Sequence, residues 1–484
     1  MIERSQLYID GRWVSPTSGD LITVDEAATE DVIGTVPAGT VEDAEQAIMA
    51  ARRAFDGWST TPIAERAAVV TAIAEGLRAN ETELAEIMAR EVGTPMASSI
   101  RVQVGLAATV FETIAEAARD LPAEERVGNS LILRTAAGVV GAITPWNYPL
   151  YQLAAKVGPA LAAGCTIVVK PSSVAPLATF VLADIIDGLG LPAGAFNLVS
   201  GRGALVGDLL SSHPEVDMVS LTGSTGAGVQ VAQSAAPTIK KVALELGGKS
   251  AFLLAEGADL DGAIAAAVRG CFVNNGQTCS ATTRLIVPRS LLAEVEERVA
   301  AAVNAFTVGN PLDPAVDLGP VASAAQFRTV KDYIEIGMTE GTLVAGGPGP
   351  VEGFDRGYFV KPTVFSRLDP KARVVQEEIF GPVLAIVPYE GIEQGIAIAN
   401  DSDFGLSGAV WAADIPEAVR IASRLRTGQI AVNGGRFNAR APFGGFKASG
   451  VGRELGHHGL AEYFELVSLQ FPSADDLGSF VPTV

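Results

Sequence analysis

The chain is poor in the residues from which disulfide frameworks and metal sites are built. Its 484 residues include three cysteines and three histidines. An odd, sparse set of cysteines provides no disulfide framework and is typical of a reducing compartment. No Cys or His pair has the spacing of metal ligands, since His457 and His458 are adjacent and His213 stands alone. The composition therefore predicts a cytoplasmic protein with neither disulfides nor a metal.

Basic residues are also scarce, with 35 Lys and Arg against 55 Asp and Glu and a formal net charge of −20. Nucleic acids and anionic membranes bind basic surfaces, so neither is expected as a partner. Residues 1–6 contain no apolar signal core. The uncharged run 136–155 is long enough to span a bilayer, but Pro145, Asn147 and Pro149 interrupt it. We therefore expect no transmembrane helix.

What is abundant is apolar sequence in strand-length runs. With 48% hydrophobic and 19% charged residues, the chain is expected to be globular and to form two or three domains. Runs at 139–143, 166–169, 196–199 and 218–221 are each followed by Gly or Pro and then by a helical pattern. This alternation predicts a parallel α/β sheet covered on both faces. It resumes after Ala251 and predicts a second α/β domain.

The sequence before residue 137 has a different pattern, with short β-type runs followed by helical sequence. Short β-type runs fill residues 1–35, and Thr40, with Asp43 three residues on, predicts the start of a helix. Thr61 and Pro62 predict a second helix, with Thr61 as its cap and Pro62 in its first turn. Helical sequence continues to about Arg119, with a break at Gly93-Thr94-Pro95.

Two segments outside this alternation of strands and helices are predicted to pair as a flap. Residues 119–136 are charged and then β-like, and residues 465–470 alternate as a half-buried strand does. An exposed edge of such a flap invites another subunit.

Cys279 follows a Gly-Gln-Thr turn, after the helical composition of 260–273 and before the strand-like run 285–287. A cysteine used only for packing more often lies inside an apolar run. A thiol on a turn after a helix is expected to be open to solvent and able to act as a nucleophile. Cys165 and Cys271, in contrast, lie in apolar sequence.

Two glycine loops follow predicted strands of the first sheet. One comprises 223–228, before a helix expected to begin near Ala227, and the other comprises 201–203 with Gly207 beyond it. Glycines let a ligand approach the backbone, and a helix N-terminus favours phosphate, so the two loops favour a dinucleotide site. Neither loop matches a standard nucleotide motif, and a tight turn is the alternative.

Three polar residues are candidates for chemistry near these loops. Lys170 ends a strand, where it either reaches a ribose or phosphate or is simply solvated. Glu245 lies between two leucines, where poor solvation raises a carboxyl pKa and suits a general base. The alternative is a strand glutamate that faces water. Asn147 offers an amide donor to an oxyanion, or it forms a turn.

Taken together, these motifs resemble the aldehyde dehydrogenase superfamily, in order and spacing, over nearly the whole chain. The segments that carry the resemblance are PWNYP at 145–149, KPS at 170–172, GSTG at 223–226, ELGGK at 245–249, GQTC at 276–279, EEIFGP at 377–382 and PFGGFK at 442–447.

The resemblance implies a mechanism. Cys279 attacks the aldehyde to give a thiohemiacetal, whose oxyanion is held by the Asn147 side chain and the Cys279 backbone N–H. Hydride transfer to NAD or NADP leaves a thioester, and Glu245 activates the water that hydrolyses it to the carboxylic acid. Lys170 completes the catalytic set. Glu454 matches a position sometimes proposed as a proton relay. The implied cofactor site consists of Thr144, Pro145, Trp146, Lys170, Ser172, Ser173, Gly203, Gly207, Thr222, Gly223, Ser224, Leu246, Glu378 and Phe380.

The implied fold is a Rossmann-like parallel-sheet cofactor domain, a second α/β catalytic domain and a small β-flap for oligomerisation. We place the cofactor domain at 1–118 and 137–247 and the catalytic domain at 248–450. The flap and C-terminal tail comprise 119–136 and 463–484. The expected assembly is a homodimer or homotetramer.

Two departures from the family pattern bear on specificity. Many NAD-preferring members have a glutamate where this chain has Ser173, and the loss of that carboxylate predicts that NADP is accepted. Ala155 replaces the bulky aromatic of several relatives. The substrate residues are expected to be Tyr148, Ala155, Phe437 and Phe443, which suit an aromatic or long aldehyde.

Several alternatives stay open at this point. Arg436 and Arg440 favour a carboxylated semialdehyde as substrate, unless they are surface charges. A CoA-acylating enzyme is a further alternative, although Glu245 argues against it because transfer to CoA needs no base to activate water. A hydrolase that pairs Cys279 with His457 or His458 leaves both glycine loops unexplained. A non-catalytic relative would lack the nucleophile or the base, and both are present.

Overall fold

The computed structural model describes residues 1–122 and 124–478, so Ala123 of the predicted flap and 479–484 of the predicted tail lie outside the described residues. The strands, in chain order, are β1 (Ile2–Glu3), β2 (Leu7–Ile9), β3 (Arg12–Val14), β4 (Leu21–Asp25), β5 (Val32–Pro37), β6 (Glu124–Val127), β7 (Ser130–Ala136), β8 (Val139–Ile143), β9 (Thr166–Lys170), β10 (Phe196–Leu198), β11 (Met218–Thr222), β12 (Lys241–Glu245), β13 (Ala251–Leu254), β14 (Arg284–Pro288), β15 (Thr342–Ala345), β16 (Thr363–Ser366), β17 (Val383–Tyr389), β18 (Phe404–Gly405), β19 (Ser407–Trp411), β20 (Gln429–Val432), β21 (Phe446–Lys447), β22 (Gly450–Val451) and β23 (Phe464–Gln470).

Helices connect most of these strands. They are α1 (Val41–Ser59), α2 (Ile63–Ala79), α3 (Glu81–Val92), α4 (Met96–Ser98), α5 (Gly105–Asp120), α6 (Pro149–Ala163), α7 (Leu177–Gly188), α8 (Asp208–Ser212), α9 (Thr225–Ala235), α10 (Leu260–Phe272), α11 (Leu292–Asn304), α12 (Ala324–Glu340), α13 (Arg373–Gln376), α14 (Ile392–Asn400), α15 (Ile415–Ala422), α16 (Gly456–Ala461) and α17 (Ala474–Gly478). A π-helical turn joins α4 to α5, and another precedes α8.

The first large sheet has eight strands in the order β22-β12-β11-β8-β9-β10-β2-β3. Its five central strands, from β12 to β10, run parallel, and the added strands at both ends run antiparallel to their neighbours. β8, β9 and β11 are almost entirely buried, as expected for strands covered by helices on both faces. This is the Rossmann-like sheet that the sequence predicted. β22, far along the chain, covers the side of β12 that would otherwise be open.

The second large sheet has the order β15-β16-β17-β14-β13-β19-β20, and all pairs except β15 with β16 run parallel. All of its strands lie at or after Ala251, so the chain passes from the first sheet to the second between Glu245 and Ala251. Each sheet has apolar clusters of its own. The predicted second α/β domain is therefore present.

A three-stranded antiparallel sheet, in the order β23-β7-β6, forms the flap. β23 pairs with β7 along its whole length, from Phe464 opposite Ala136 to Gln470 opposite Ser130. Most of β23 is exposed, including Leu466. The predicted pairing of the two segments is therefore confirmed.

Local signals at the first helices are largely as predicted. Thr40 and Asp43 form a capping box, in which each side chain accepts a hydrogen bond from the other residue's backbone N–H. The predicted cap of the next helix is one residue too early, because Pro62 is the N-cap of α2 and no side chain caps that end. Within the residues that the structure describes, no helix is long and apolar enough to cross a membrane.

Candidate active site

A cavity of about 260 Å³ lies at the carboxyl ends of β8, β11 and β12, opposite the turn that precedes β14. Predicted catalytic and cofactor residues line it together. They are Pro145, Trp146, Asn147, Thr222, Gly223, Ser224, Glu245, Cys279, Glu378 and Phe380. Residues that are far apart in sequence thus meet on one surface.

The turn that carries Cys279 has an unusual backbone. Asn274, Asn275 and Gly276 all adopt the left-handed conformation, with φ of 52°, 58° and 74°. Asn is the residue after glycine that best tolerates this region. A side chain at Gly276 would also collide with the carbonyl of Gly381. Three left-handed residues in succession reverse the chain after α10 and place Cys279 against the cavity.

The expectation that Cys279 is open to solvent is wrong, because its side chain is 9% exposed. The cause is the turn itself, which folds inward instead of lying on the surface. Burial raises the pKa of the thiol well above its ordinary value, and the negative charges of Glu245, Glu378 and Glu454 raise it further. The backbone N–H of Ser280 acts in the opposite direction. The resting side chain is therefore a thiol, shielded from bulk water at the cavity wall.

Glu245 is buried at the end of β12, which excludes the alternative of a strand glutamate that faces water. Among the described residues, no protein nitrogen or oxygen forms a hydrogen bond to either carboxyl oxygen. Burial raises the pKa of Glu245 well above its ordinary value, the charge of Glu454 adds to this, and Lys156 opposes it. A buried carboxyl group with a high proton affinity and the Cys279 thiol as hydrogen-bond donor is suited to accept a proton.

Lys156 and Glu454 form a buried ion pair, with 2.5 Å between Lys156 Nζ and Glu454 Oε1. Lys156 lies on α6, and Glu454 lies just before α16. Both are near enough to Glu245 to influence its pKa. The sequence singled out Glu454 but gave no sign of Lys156, which occupies the apolar interior of α6.

Asn147 is tied to the catalytic turn by its side chain and by its backbone. Its Nδ2 donates to the carbonyl of Gln277 at 3.0 Å, and its own carbonyl accepts from Gln103 Nε2 at 2.9 Å and from Asn274 Nδ2 at 3.0 Å. A carboxamide has two N–H groups, so one remains to donate toward the cavity. This geometry suits an oxyanion donor.

The far side of the cavity has the features of a dinucleotide site. Ser224 caps α9, its hydroxyl accepting from the N–H of Ala227, so the helix begins at Thr225, close to the start predicted near Ala227. Glu378 Oε1 accepts from the backbone N–H of Gly248 at 2.9 Å, and a side chain at Gly247 would collide with that carboxylate. The cavity thus offers a helix N-terminus at one place and a carboxylate at another.

Phe380 stands edge-on to Trp146, with ring centroids 5.4 Å apart, and it has a positive φ of 56°. Gln326 supports this conformation by donating to the carbonyls of Ile379 and Phe380 at 3.0 and 2.8 Å. Gln326 and Thr329, both on α12, line the cavity and were missed in the sequence because they lie in an ordinary polar helix.

The remaining predicted cofactor residues lie outside the cavity lining. Lys170, buried at the end of β9, packs beside Gly207, and its Nζ donates to the carbonyl of Pro171 at 2.5 Å. Burial lowers the pKa of Lys170 to about 8. Ser173 donates to the carbonyl of Gly201 at 3.3 Å, which brings the KPS segment to the second glycine loop.

Four further residues of the predicted cofactor set are placed as follows. Thr144 is buried, with its backbone N–H bonded to the carbonyl of Lys170, and Ser172 accepts from the N–H of Val174. Gly203 begins the π-helical turn before α8. Leu246 is buried among apolar side chains against α9, so its side chain is part of the core and not of the cavity wall.

Aromatic side chains connect the Cys279 turn to the surface. The hydroxyls of Tyr148 and Thr278 share a hydrogen bond of 2.8 Å. Four aromatic rings form a continuous edge-to-face series. The ring centroids are 6.2 Å apart for Tyr148 and Tyr151, 6.3 Å for Tyr151 and Phe437, and 6.1 Å for Phe437 and Phe443. Phe437, between Tyr151 and Phe443, is the exposed member of the series. Tyr151, three residues after Tyr148 on α6, was missed.

Ala155 is buried one turn farther along α6, in the apolar cluster that contains Tyr151 and Cys279. The two arginines differ from each other, since Arg440 pairs with Glu116 at 2.6 Å and Arg436 is exposed.

The other candidate nucleophiles and bases have ordinary roles. Cys165 and Cys271 are fully buried, as predicted. His457 and His458 are exposed on α16, whereas Cys279 is buried. A Cys-His pair is therefore not supported.

Comparison with known proteins agrees with this geometry. The model of the aldehyde dehydrogenase family matches residues 13–469. A 3-succinoylsemialdehyde-pyridine dehydrogenase of a Pseudomonas species is 45% identical over 96% of this chain and 98% of its own length. A geranial dehydrogenase of Castellaniella defragrans is 41% identical with the same coverage.

Solved structures resemble the chain equally closely. An aldehyde dehydrogenase of Pseudomonas syringae, determined as a cysteine-to-alanine mutant with NAD⁺ and octanal, has a TM-score of 0.96 and 44% identity and covers 97% of both chains. An aldehyde dehydrogenase of Mycobacterium tuberculosis with NAD⁺ has a TM-score of 0.95 and 40% identity, covering 98% of this chain and 99% of its own. The chain therefore belongs to the aldehyde dehydrogenase family and is an NAD-dependent oxidoreductase that oxidises an aldehyde to the carboxylic acid.

Proposed function

We propose that Cys279, Glu245 and Asn147 carry out this oxidation and that the adjoining cavity holds the cofactor. The observation that carries the proposal is that Cys279 and Glu245 line the same cavity as Ser224, Glu378 and Phe380. Nucleophile, base and cofactor-binding groups thus surround one space. The family resemblance supports the same assignment.

In this proposal, Cys279 loses its proton as it attacks the aldehyde carbon. Its high pKa makes a permanent thiolate unfavourable, so proton loss coincides with attack, and the ionised form of the buried Glu245 takes the proton. The negative charge moves to the former carbonyl oxygen, where the free N–H of Asn147 and the backbone N–H of Cys279 stabilise it. After oxidation, Cys279 carries the acyl group as a thioester.

Glu245 then acts as the base for hydrolysis. Once the proton taken from Cys279 has left it, Glu245 removes a proton from water, the resulting hydroxide attacks the thioester carbonyl, and the C–S bond breaks to release the acid and the Cys279 thiolate. Glu454, which is held by Lys156 and influences the pKa of Glu245, is assigned the role of passing protons on from Glu245.

The cavity fits a nicotinamide dinucleotide, which supplies the hydride acceptor when bound. The N-terminus of α9 favours a pyrophosphate, and the Glu378 carboxylate can accept hydrogen bonds from ribose hydroxyls. Trp146 and Phe380 form an aromatic wall beside Cys279. Lys170 and the loops at Gly201 and Gly207 are assigned to the adenosine end, beyond the cavity.

The test of this function is aldehyde-dependent reduction of NAD with and without CoA, with the product identified by chromatography. We expect the free carboxylic acid in both cases, because Glu245 is placed to activate water. Formation of an acyl-CoA would favour the acylating alternative instead. No reduction with any aldehyde of the panel described below would contradict the proposed function.

We further propose that the enzyme accepts NADP as well as NAD. Ser173 contributes no negative charge beside the Gly201 loop, and Lys170 lies at the end of the adjoining strand. A 2′-phosphate would therefore meet no carboxylate from this residue. We expect kcat/KM for NAD and NADP to differ by less than about a hundredfold, or 2.7 kcal/mol. Ser173→Glu is the matched variant and should raise the preference for NAD. A wild-type preference for NAD above a hundredfold would contradict the proposal.

We propose that the substrate is an apolar aldehyde, aromatic or of medium chain length. The edge-to-face series from Tyr148 to Phe437 provides an apolar surface, and the buried Ala155 leaves room beside it. Arg440 is already paired with Glu116, which weakens the case for a carboxylated semialdehyde. Benzaldehyde, octanal and succinic semialdehyde form the test panel. A highest kcat/KM for succinic semialdehyde would favour the semialdehyde alternative.

We propose that two or four copies assemble through the flap. β23 is the exposed edge strand of its sheet, and its apolar Leu466 faces solvent in the single chain. Light scattering after size exclusion should give a dimer or tetramer, and Leu466→Lys should shift it toward monomer. A wild-type monomer would contradict this. We also propose a cofactor domain at 1–118 and 137–247 and a catalytic domain at 248–450. The proposed location is the cytoplasm.

A further inference from the structure

The carboxamide of Asn274 bridges two parts of the site. Its Nδ2 donates to the carbonyl of Asn147 at 3.0 Å and to the carbonyl of Gln277 at 3.3 Å. The Gln277 carbonyl is also the acceptor for Asn147 Nδ2, at 3.0 Å. Asn274 therefore contacts both the backbone of Asn147 and the group that anchors its side chain.

This bridge is itself held in place. Thr94 Oγ1 donates to Asn274 Oδ1, and Gln103 Nε2 donates to Thr94 Oγ1 at 3.1 Å and to the carbonyl of Asn147 at 2.9 Å. Asn274, Gln103 and Thr94 are all buried. The result is a closed set of hydrogen bonds around Asn147, supplied by side chains from the turn after α10, from the loop before α4 and from the π-helical turn between α4 and α5.

The backbone of Asn274 makes this contact possible. With φ of 52° and ψ of 38°, the residue points its side chain back toward Asn147, and Asn275 continues the left-handed turn with φ of 58°. A non-glycine residue persists in this conformation where surrounding contacts hold it. Asn275 has different partners, namely the carbonyls of Gly93 and Pro320 and the N–H of Gly319.

We propose that Asn274 is a positioning residue for the oxyanion site: its carboxamide fixes the plane of the Asn147 side chain, so that the second N–H of Asn147 points at the developing oxyanion. The inference rests on the proposed role of Asn147. One N–H of Asn147 is anchored to Gln277, and the carboxamide is planar, so the direction of the other follows from the anchor. Asn274 holds that anchor and the Asn147 backbone at once.

The test compares two reactions of the same thiol. Aldehyde oxidation, read as kcat/KM for octanal, develops an oxyanion. Alkylation by iodoacetamide does not, because the Cys279 sulfur displaces iodide from a saturated carbon. Asn274→Gly keeps the left-handed backbone and removes the side chain. We expect kcat/KM to fall on the order of 10- to 100-fold, less than the 10² to 10³ for loss of an oxyanion donor itself, while the alkylation rate changes less than about threefold.

Asn275→Gly is the matched control, since it removes the neighbouring left-handed carboxamide without touching Asn147. It should lower thermal stability and leave the ratio of the two rates near that of wild type. If Asn274→Gly fails to fold, Thr94→Val tests the same bridge from outside the turn by removing the hydroxyl that orients Asn274. Equal losses in both reactions with either variant, or no loss in either reaction, would overturn the proposal.

Asn147→Ala separates this inference from the function on which it rests. We expect it to lose more kcat/KM than Asn274→Gly, and the double variant to lose no more than Asn147→Ala alone, because the positioned group is then gone. Additive losses would overturn the positioning role only. Full activity of Asn147→Ala would overturn both the assigned oxyanion role and the inference.

Discussion

Cys271 and Cys279 are buried at either side of one turn, yet their surroundings are opposite in charge. Cys271, on α10, directs its Sγ to the carbonyl of Val383 at 3.6 Å, and burial raises its pKa to about 12 against the effect of Lys249. Cys279 lies on the cavity wall, and carboxyl groups reinforce the effect of burial on its pKa.

The difference between them shows that a raised pKa does not by itself mark an inert thiol. Cys271 has no carboxyl group among the groups that influence its pKa, whereas Glu245 is foremost among the side chains that act on Cys279. A thiol that is protonated at rest but has a base beside it reacts when substrate arrives and is protected from oxidants until then.

Substitution of each cysteine in turn gives the largest expected difference in kcat. Cys279→Ser should lower kcat by about 10⁴-fold or more, since a serine hydroxyl is a much weaker nucleophile than a thiol. Cys271→Ala should keep kcat within about threefold and lower the free energy of unfolding by about 1 kcal/mol. NADH formation and urea unfolding measure the two quantities. Comparable losses of kcat in both variants would break the comparison.

Removal of the base should separate the two halves of the reaction. In Glu245→Gln we expect hydrolysis of the thioester to slow by about 10²- to 10⁴-fold, because an amide does not accept a proton from water. At alkaline pH, where the Cys279 thiol ionises without help from Glu245, an initial burst of NADH, approaching one per active site, should precede the slow steady state in stopped-flow absorbance. A steady-state rate like that of wild type would show that another group is the base.

Glu245→Gln also tests the difference in charge between the surroundings of Cys279 and those of Cys271. At alkaline pH, where Glu245 is ionised, its charge holds the pKa of Cys279 up, so Glu245→Gln should shift the pH dependence of Cys279 alkylation to lower pH. The pKa of Cys271, which is not influenced by Glu245, should stay unchanged. Mass-spectrometric alkylation rates at each cysteine measure both. A shift at Cys271 of the same size would point to a general change in packing.

The cation beside Cys271 gives the smallest expected effect. Burial lowers the pKa of Lys249 to about 7, and its Nζ has no hydrogen-bond partner within the described part of the chain. In the unfolded chain, the pKa of Lys249 is about 10.4. Between about pH 7 and this value, Lys249 is protonated in the unfolded chain but not in the folded one, so it makes the free energy of unfolding rise with pH. Lys249→Met should remove that dependence and add on the order of 1 kcal/mol at pH 7. Urea titrations at pH 7 and 9 test it, and an unchanged pH dependence would contradict it.

Much of the fold was readable because the central strands of the first sheet, such as β8 and β9, are mainly apolar and end at or before a polar residue, Gly or Pro. β8 and β9 begin where the sequence predicted, and the flap pairing followed from alternation alone. The cap of α2 was misplaced because Thr61 and Pro62 are both plausible helix starts, and only packing decides between them.

The site was predicted where one segment carries several signals, as at ELGGK and GQTC. It was missed where a single side chain acts through a distant partner. Gln326 supports Phe380 from an ordinary amphipathic helix, and Lys156 lies inside an apolar one. The depth of Cys279 was misjudged because the three left-handed residues before it send the chain inward, and sequence alone does not show the direction of a turn.

The position of β22 has a consequence for how the enzyme is made. β12, which carries Glu245, pairs on its outer side with Gly450 and Val451. During synthesis on the ribosome, roughly two hundred residues must emerge after β12 before this partner exists. Until then the strand that carries Glu245 is an open edge of the nascent sheet. The surroundings of Glu245 are thus completed late, when the second α/β sheet has already been translated, and we expect a chain that ends before β22 to be inactive.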